Sequence, residues 1–155
     1  MIDEVNMGRY CFRVVIISTM LWGSCSQIIE EKGLFTQEGS GISVRVNKPL
    51  YSSGEPISMT LRVFNHADQQ ITFSFRDARR YDFTIEDEEG QAVWRWSHGR
   101  MFAQVLGEET LGSGREEVLY SETYTGMLKA GEYLVTGILV ASDRAISASI
   151  TITIR

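Results

Sequence analysis

At the C-terminus Ile146, Ala148, Ile150, Ile152 and Ile154 alternate with Ser147, Ser149, Thr151, Thr153 and Arg155. This period of two constrains the fold more than any other feature of the chain. Successive strand side chains point to opposite faces, whereas a helix repeats every 3.6 residues. With one face apolar and the other polar, the segment predicts a strand of an antiparallel sheet that is buried on one side and wet on the other. The same alternation runs through Ile57, Met59, Leu61 and Val63, set against Ser58, Thr60, Arg62 and Phe64. Ile71, Phe73 and Phe75 repeat it after the turn-rich Asn65-His66-Ala67-Asp68. Further strands are predicted at 42–47, 81–86, 91–97, 116–123 and 132–141. About eight short strands separated by turns, with no long helical pattern, predict one all-β domain over residues 42–155, an antiparallel two-sheet sandwich.

One hairpin can be registered from its residues. Tyr81, Phe83 and Ile85 share a face, as do Ala92, Trp94 and Trp96, and Asp87-Glu88-Glu89-Gly90 suits a four-residue turn. Pairing Glu86 with Gln91 places Phe83 opposite Trp94, Tyr81 opposite Trp96 and, on the other face, Asp82 opposite Arg95. A slip of one residue would separate the aromatic side chains, so the register is strongly specified. The shared face makes Trp94 and Trp96 core residues; the alternative is an exposed platform for a sugar or peptide.

The N-terminus differs from the rest of the chain. Arg9 and Arg13 precede an apolar run from Val14 to Trp22, broken only by Ser18 and Thr19. As a helix this run rises roughly 14 Å, about half a bilayer core, which suits a signal peptide and not a membrane span. Asp3 and Glu4 interrupt the positive flank, leaving Met1 and Met7 both open as the start. Gly23-Ser24-Cys25 resembles the end of a bacterial lipoprotein box, with Trp22 where that motif has Leu. Residues 1–25 are therefore expected to be an export signal, with Cys25 lipidated and the membrane touched only through that anchor. Simple secretion is one alternative, and a cytoplasmic chain is another. Residues 26–41 have no sustained period and end in Gly and Ser, as a flexible tether would.

Composition removes several functions. The net charge is −5, and it stays there without residues 1–25, which hold two acids (Asp3, Glu4) and two bases (Arg9, Arg13). Nucleic-acid binding needs clustered Lys and Arg and is not expected. Both cysteines, Cys11 and Cys25, lie in the leader, so the body has no disulfide, thiolate nucleophile or cysteine metal ligand. His66 and His98 are the only histidines, and both fall in predicted loops. There is no G-x-S-x-G elbow, phosphate loop or metal-spaced histidine pair. The acidic run Glu86-Asp87-Glu88-Glu89 lacks the alternating ligands of a calcium loop. The expectation is a domain that acts by binding and not by catalysis, with no cofactor and no metal, and these residues alone do not name what it binds.

Residues Tyr81 to Gln104, YDFTIEDEEGQAVWRWSHGRMFAQ, resemble the BsuPI family of bacterial intracellular proteinase inhibitors. That family carries a Y-D-F strand, a turn, then V-W-R-W-S and G-x-x-F-x-Q. Ser53-Gly54-Glu55-Pro56 leading into Ile57–Asn65, and Ala130-Gly131-Glu132-Tyr133 through Gly137, are similar to its opening and late strands. The resemblance covers about residues 43–142, and it departs in the export-like leader and in Tyr124, where a tryptophan is expected. It implies an immunoglobulin-like sandwich and inhibition of a serine protease, a subtilisin-like enzyme being the expected partner. The alternative is a non-inhibitory envelope lipoprotein with a structural or assembly role.

Substrate-like inhibition needs an exposed, rigid loop. Two segments qualify: Arg76–Arg80 and His98–Gly114. The second combines Met101, Phe102, Val105 and Leu106 with glycines at 99, 107, 112 and 114. Met101, Leu106, Glu108 and Glu109 are the expected partner-facing residues.

Overall fold

The computed structural model describes residues 29–34, 39–114, 116–144 and 146–155; the predicted export signal and Cys25 lie outside them. The described residues form strands β1 (Ile29–Leu34), β2 (Ser40–Val46), β3 (Leu50–Tyr51), β4 (Ile57–Asn65), β5 (Ile71–Phe75) and β6 (Tyr81–Glu86). They continue with β7 (Ala92–Arg95), β8 (Gly107–Leu111), β9 (Glu116–Tyr124), β10 (Gly131–Leu139) and β11 (Ile146–Ile154). One sheet has the order β1-β2-β4-β9, the other β3-β11-β10-β6-β7, and β5 pairs with β8 as a separate ribbon. All pairings are antiparallel except the short β3–β11 contact. Strands β2, β4 and β9 take the A, B and E places of an immunoglobulin domain, and β11, β10, β6 and β7 take G, F, C and C′.

The alternating residues explain why two sheets meet. Ile42, Val44, Met59, Leu61 and Val63 from the first sheet face Phe83, Ile85, Val135, Leu139, Ile150 and Ile152 from the second, all essentially inaccessible to water. At Gly137 the approach is so close that a Cβ would lie 2.8 Å from Leu61 Cδ1. A larger residue would push the sheets apart. Where β9 turns into β10, Tyr133 Oη donates to Lys129 O at 3.1 Å. This is the tyrosine corner characteristic of immunoglobulin-like sandwiches.

Several expectations are revised. There are eleven strands among the described residues, not eight, because β1, β3 and β8 lack clean alternation. β1 lies inside the segment read as a tether and pairs with β2 from Ile29↔Val46 to Leu34↔Gly41; backbone pairing supplies the order that its composition does not advertise. The β6–β7 register also differs: Glu86 pairs with Ala92, and Ile85 with Trp94 across a bulge. Asp87 N–H donates to Gln91 O, and Gly90, at φ +76°, turns the chain. The turn and the bulge each shift the register by one residue, so the aromatic side chains keep their face but change partners. Trp96 N–H reaches Phe83 O at 2.9 Å, and Arg95 stands opposite Thr84 in place of Asp82. Trp94 and Trp96 are half-buried at the rim of the core, because β7 is an edge strand with sheet cover on one side only.

Candidate functional site

Three connections meet at one end of the sandwich: β4 to β6, β7 to β9, and β10 to β11. Ser142 N–H donates to Ser74 O at 2.7 Å and Ala78 N–H to Ala103 O at 2.9 Å. These are the positions that carry the antigen-binding loops in variable domains. The two segments expected as alternatives, 76–80 and 98–106, are therefore neighbours in one surface.

The surface is held from beneath by two polar residues that sit inside strands. Asp82 is 1% exposed, although it points away from the core that Phe83 and Ile85 fill. Its carboxylate accepts from Ser97 Oγ at 2.6 Å, Ser97 N–H at 3.1 Å and Phe83 N–H at 2.9 Å. Arg79 Nη1 lies 3.4 Å from Oδ2 and Arg95 Nη1 lies 3.9 Å away. A buried carboxylate is tolerable only with such partners, and here they fix the start of the loop. Asn65 is fully buried and donates to Gln69 O, Leu111 O and Gly112 O at 2.7–3.2 Å. It joins the end of β4 to the end of β8.

A row of rings supplies the second support. Tyr81 stacks on Tyr120 at 4.6 Å and on Trp96 at 4.5 Å, and Trp96 meets Phe102 at 5.6 Å. Arg100 covers Trp96 at 4.4 Å, and Arg79 covers Phe102 at 5.7 Å. Tyr81 Oη donates to Glu122 at 2.6 Å, and Tyr120 Oη donates to Glu109. Burial, and then the bond to the Glu122 carboxylate, pushes the Tyr81 phenol up to about 12. Burial and Glu109 move Tyr120 in the same direction and further.

Above this base, Met101 is 99% exposed, Leu106 81% and Val105 60%. Leu106 borders an open groove with Ser74, Phe75, Gly107, Glu108 and Ser142. Of the residues expected to face a partner, Met101, Leu106 and Glu108 are exposed. Glu109 is half-buried and engaged by Arg80 Nε at 2.9 Å as well as by Tyr120. The expected loop 98–114 is shorter than the sequence suggested. Residues 107–111 are β8, paired with β5, and Leu111 is in the core. Within 76–80, Arg80 is occupied by Glu109, Asp77 O and the Phe75 ring.

Sequence reading missed Asp82, Ser97 and Asn65 as the supports of this surface. The signal was an Asp inside the strand Tyr81–Glu86, where strand propensity disfavours it. Residues 44–144 match the family model described as intracellular proteinase inhibitor, BsuPI. The chain belongs to the BsuPI family. The BsuPI motif residues include the core and turn positions and also the Asp82–Ser97 support. No curated protein matches the sequence. Among solved structures, the chain is similar at 12% identity to the CARDB domain of a Pyrococcus furiosus protein crystallised with di-metal ions (77% of this chain, 97% of that one, TM-score 0.44). It is similar at 12% identity to the C-terminal domain of Wzt (83% and 78%, TM-score 0.46). It is also similar at 19% identity to the sporulation control protein Spo0M of Bacillus subtilis, half of whose length it spans (77% and 50%, TM-score 0.47). Identities this low carry no functional argument.

Proposed function

We propose that this BsuPI chain is a non-catalytic inhibitor module that docks a subtilisin-like serine protease through residues 98–106, with 76–80 alongside. One observation carries the reading: the segment presenting Met101, Val105 and Leu106 to solvent is pinned at its root by the buried Asp82. An inhibitor must hold its contact loop in the bound shape beforehand, so that ordering costs nothing at association. Disulfides commonly supply that rigidity. Here a buried carboxylate and a row of rings supply it.

The test is the inhibition constant of the purified full chain and of a variant with Met101, Val105 and Leu106 all changed to Ser. The three side chains are exposed, so the fold should persist. The expected loss is roughly 100-fold or more, as for removal of the central apolar anchors of an interface. A wild-type chain that inhibits no serine protease would refute the reading, and an equally inhibitory variant would move the site elsewhere.

We propose further that the chain is exported and anchored by a lipid on Cys25. The charged, apolar, small-residue order that ends at Cys25 supports this. β1 starts at Ile29 opposite Val46, at the end of the sandwich away from the loops. Four residues reach at most about 14 Å, so the anchor would leave the loop surface turned away from the membrane. Membrane fractionation of wild type and Cys25→Ser should show the wild type pelleting and the variant released. Equal solubility of both would end this proposal.

A further inference from the structure

Among the exposed large apolar side chains of the described residues, Met101 is the most exposed. Met101 is 99% exposed, yet its neighbours on both sides are committed. On the upstream side, Arg100 Nε donates to Trp96 O at 2.9 Å, its guanidinium covers the Trp96 ring, and Ser97 is bound to Asp82. On the downstream side, Phe102 packs against Trp96 and lies under Arg79, and Ala103 O accepts from Ala78 N–H. An unbranched apolar residue therefore projects from a segment that is fastened immediately before and immediately after it.

We propose that Met101 is the residue that enters the primary specificity pocket of the protease, and that Phe102 keeps the two halves of the loop together if the Met101–Phe102 bond is opened. The proposal rests on the inhibitor reading above and deepens it. An unbranched thioether fits a deep or open apolar pocket and not one built around a carboxylate, so the partner is an enzyme that cleaves after large apolar residues. Phe102 then occupies the position just beyond the scissile bond. The chemistry balances within the complex. The protease serine oxygen bonds to the Met101 carbonyl carbon as the C–N bond to Phe102 breaks. The serine proton passes through the protease histidine to the departing amine, leaving an acyl ester and a free Phe102 amino group. In an ordinary substrate that amine diffuses away and water takes its place. Here Phe102 remains against Trp96, which is stacked on Tyr81 and through it on Tyr120 of the opposite sheet. The amine is held beside the ester at a high effective concentration, so the peptide bond re-forms faster than water reacts.

The experiment uses the purified full chain with a subtilisin-family protease and with trypsin, reading inhibition and, by mass spectrometry, cleavage. Met101→Asp should lose at least about 100-fold against the subtilisin-family enzyme. Met101→Lys should gain inhibition of trypsin, whose pocket carries an acid. Phe102→Ala, with its fold checked by tryptophan fluorescence, should turn the chain into a substrate cut between residues 101 and 102, so that inhibition fades with time. If the wild type inhibits but both position-101 variants match it within about twofold, Met101 is not the entering residue while the inhibitor reading stands. Cleavage of Phe102→Ala at another bond would likewise overturn the assignment. A wild type that inhibits neither enzyme overturns this inference together with the reading on which it rests.

Discussion

The two ends of the sandwich solve the same problem, reversing the chain, by different means. At the end away from the loops, the β6–β7 turn is satisfied by its own residues. Asp87 N–H donates to Gln91 O, Gly90 N–H to Asp87 O, and Gln91 N–H to the Asp87 carboxylate at 2.8 Å. This tip is acidic, with Glu86, Glu88 and Glu89 beside Asp87, and it presents no large apolar side chain. At the loop end, the β7–β8 connection leans on residues distant in sequence: Asp82 fifteen positions before Ser97, and Tyr81 and Tyr120 beneath Trp96. A turn that only reverses the chain can be built locally. A loop that must hold apolar residues out in water needs tertiary support, because left alone those residues would collapse onto the domain.

The sharpest way to break this comparison is to remove one carboxylate at each end. Asp82→Ala leaves Ser97 and two arginines facing a buried gap and should cost about 3–4 kcal/mol. Asp87→Ala, at the half-exposed tip, should cost about 1 kcal/mol or less. Urea unfolding of both variants measures this, and equal losses would mean that the loop end has no special support. Next in size is the ring row. Trp96→Ala should cost roughly 2–3 kcal/mol, below the range for a fully buried aromatic because Trp96 is half-exposed. Trp94 packs edge-on against Tyr124 at 5.4 Å, off the row that reaches Phe102. Trp94→Ala should therefore destabilise without loosening the loop, whereas Trp96→Ala should also make residues 98–106 sensitive to a nonspecific protease.

The smallest effect is in alkali. The folded Tyr81 pKa is raised from its ordinary value near 10 to about 12, and Tyr120 moves the same way. The fold thus favours the protonated phenols. Their contribution to stability is complete below about pH 10 and falls as pH rises toward 12 and beyond, because the unfolded chain releases those protons first. Melting temperatures from about pH 8 to 12, with phenolate absorbance recorded in parallel, should show that decline. A Tyr81→Phe/Tyr120→Phe variant should show less of it, and the same slope in both would remove these tyrosines as the cause.

Much of the fold was legible because burial on one face writes a period of two into the residues. β6 occupies the predicted 81–86, and β4, β5 and β11 fall where apolar and polar residues alternate. The pattern also kept the hairpin aromatic side chains on the correct face even though the pairing was two residues off, since a shift of two preserves alternation. The site was only partly legible. Met101 and Leu106 stood out as apolar residues in a glycine-containing segment, and both are exposed. Glu109 looked like an exposed acid beside Glu108, and only the packing of β8 on β5 brings Arg80 and Tyr120 to it.

By itself, the sequence determined which faces are buried, that the sheets are built mainly from antiparallel pairs, and that residues 26–155 contain no cysteine. These follow from the identity and spacing of neighbouring residues, which local geometry and the hydrophobic effect read directly. The tertiary structure alone decided that segments 76–80 and 98–106 form one surface, and that Asp82, which does pair with Arg95 across the strands at 3.9 Å, also supports a loop through Ser97. It also showed that an unremarkable run at 29–34 completes a sheet. Each depends on groups far apart in the chain meeting across a fold, and neither propensity nor periodicity encodes such meetings until the strands have paired.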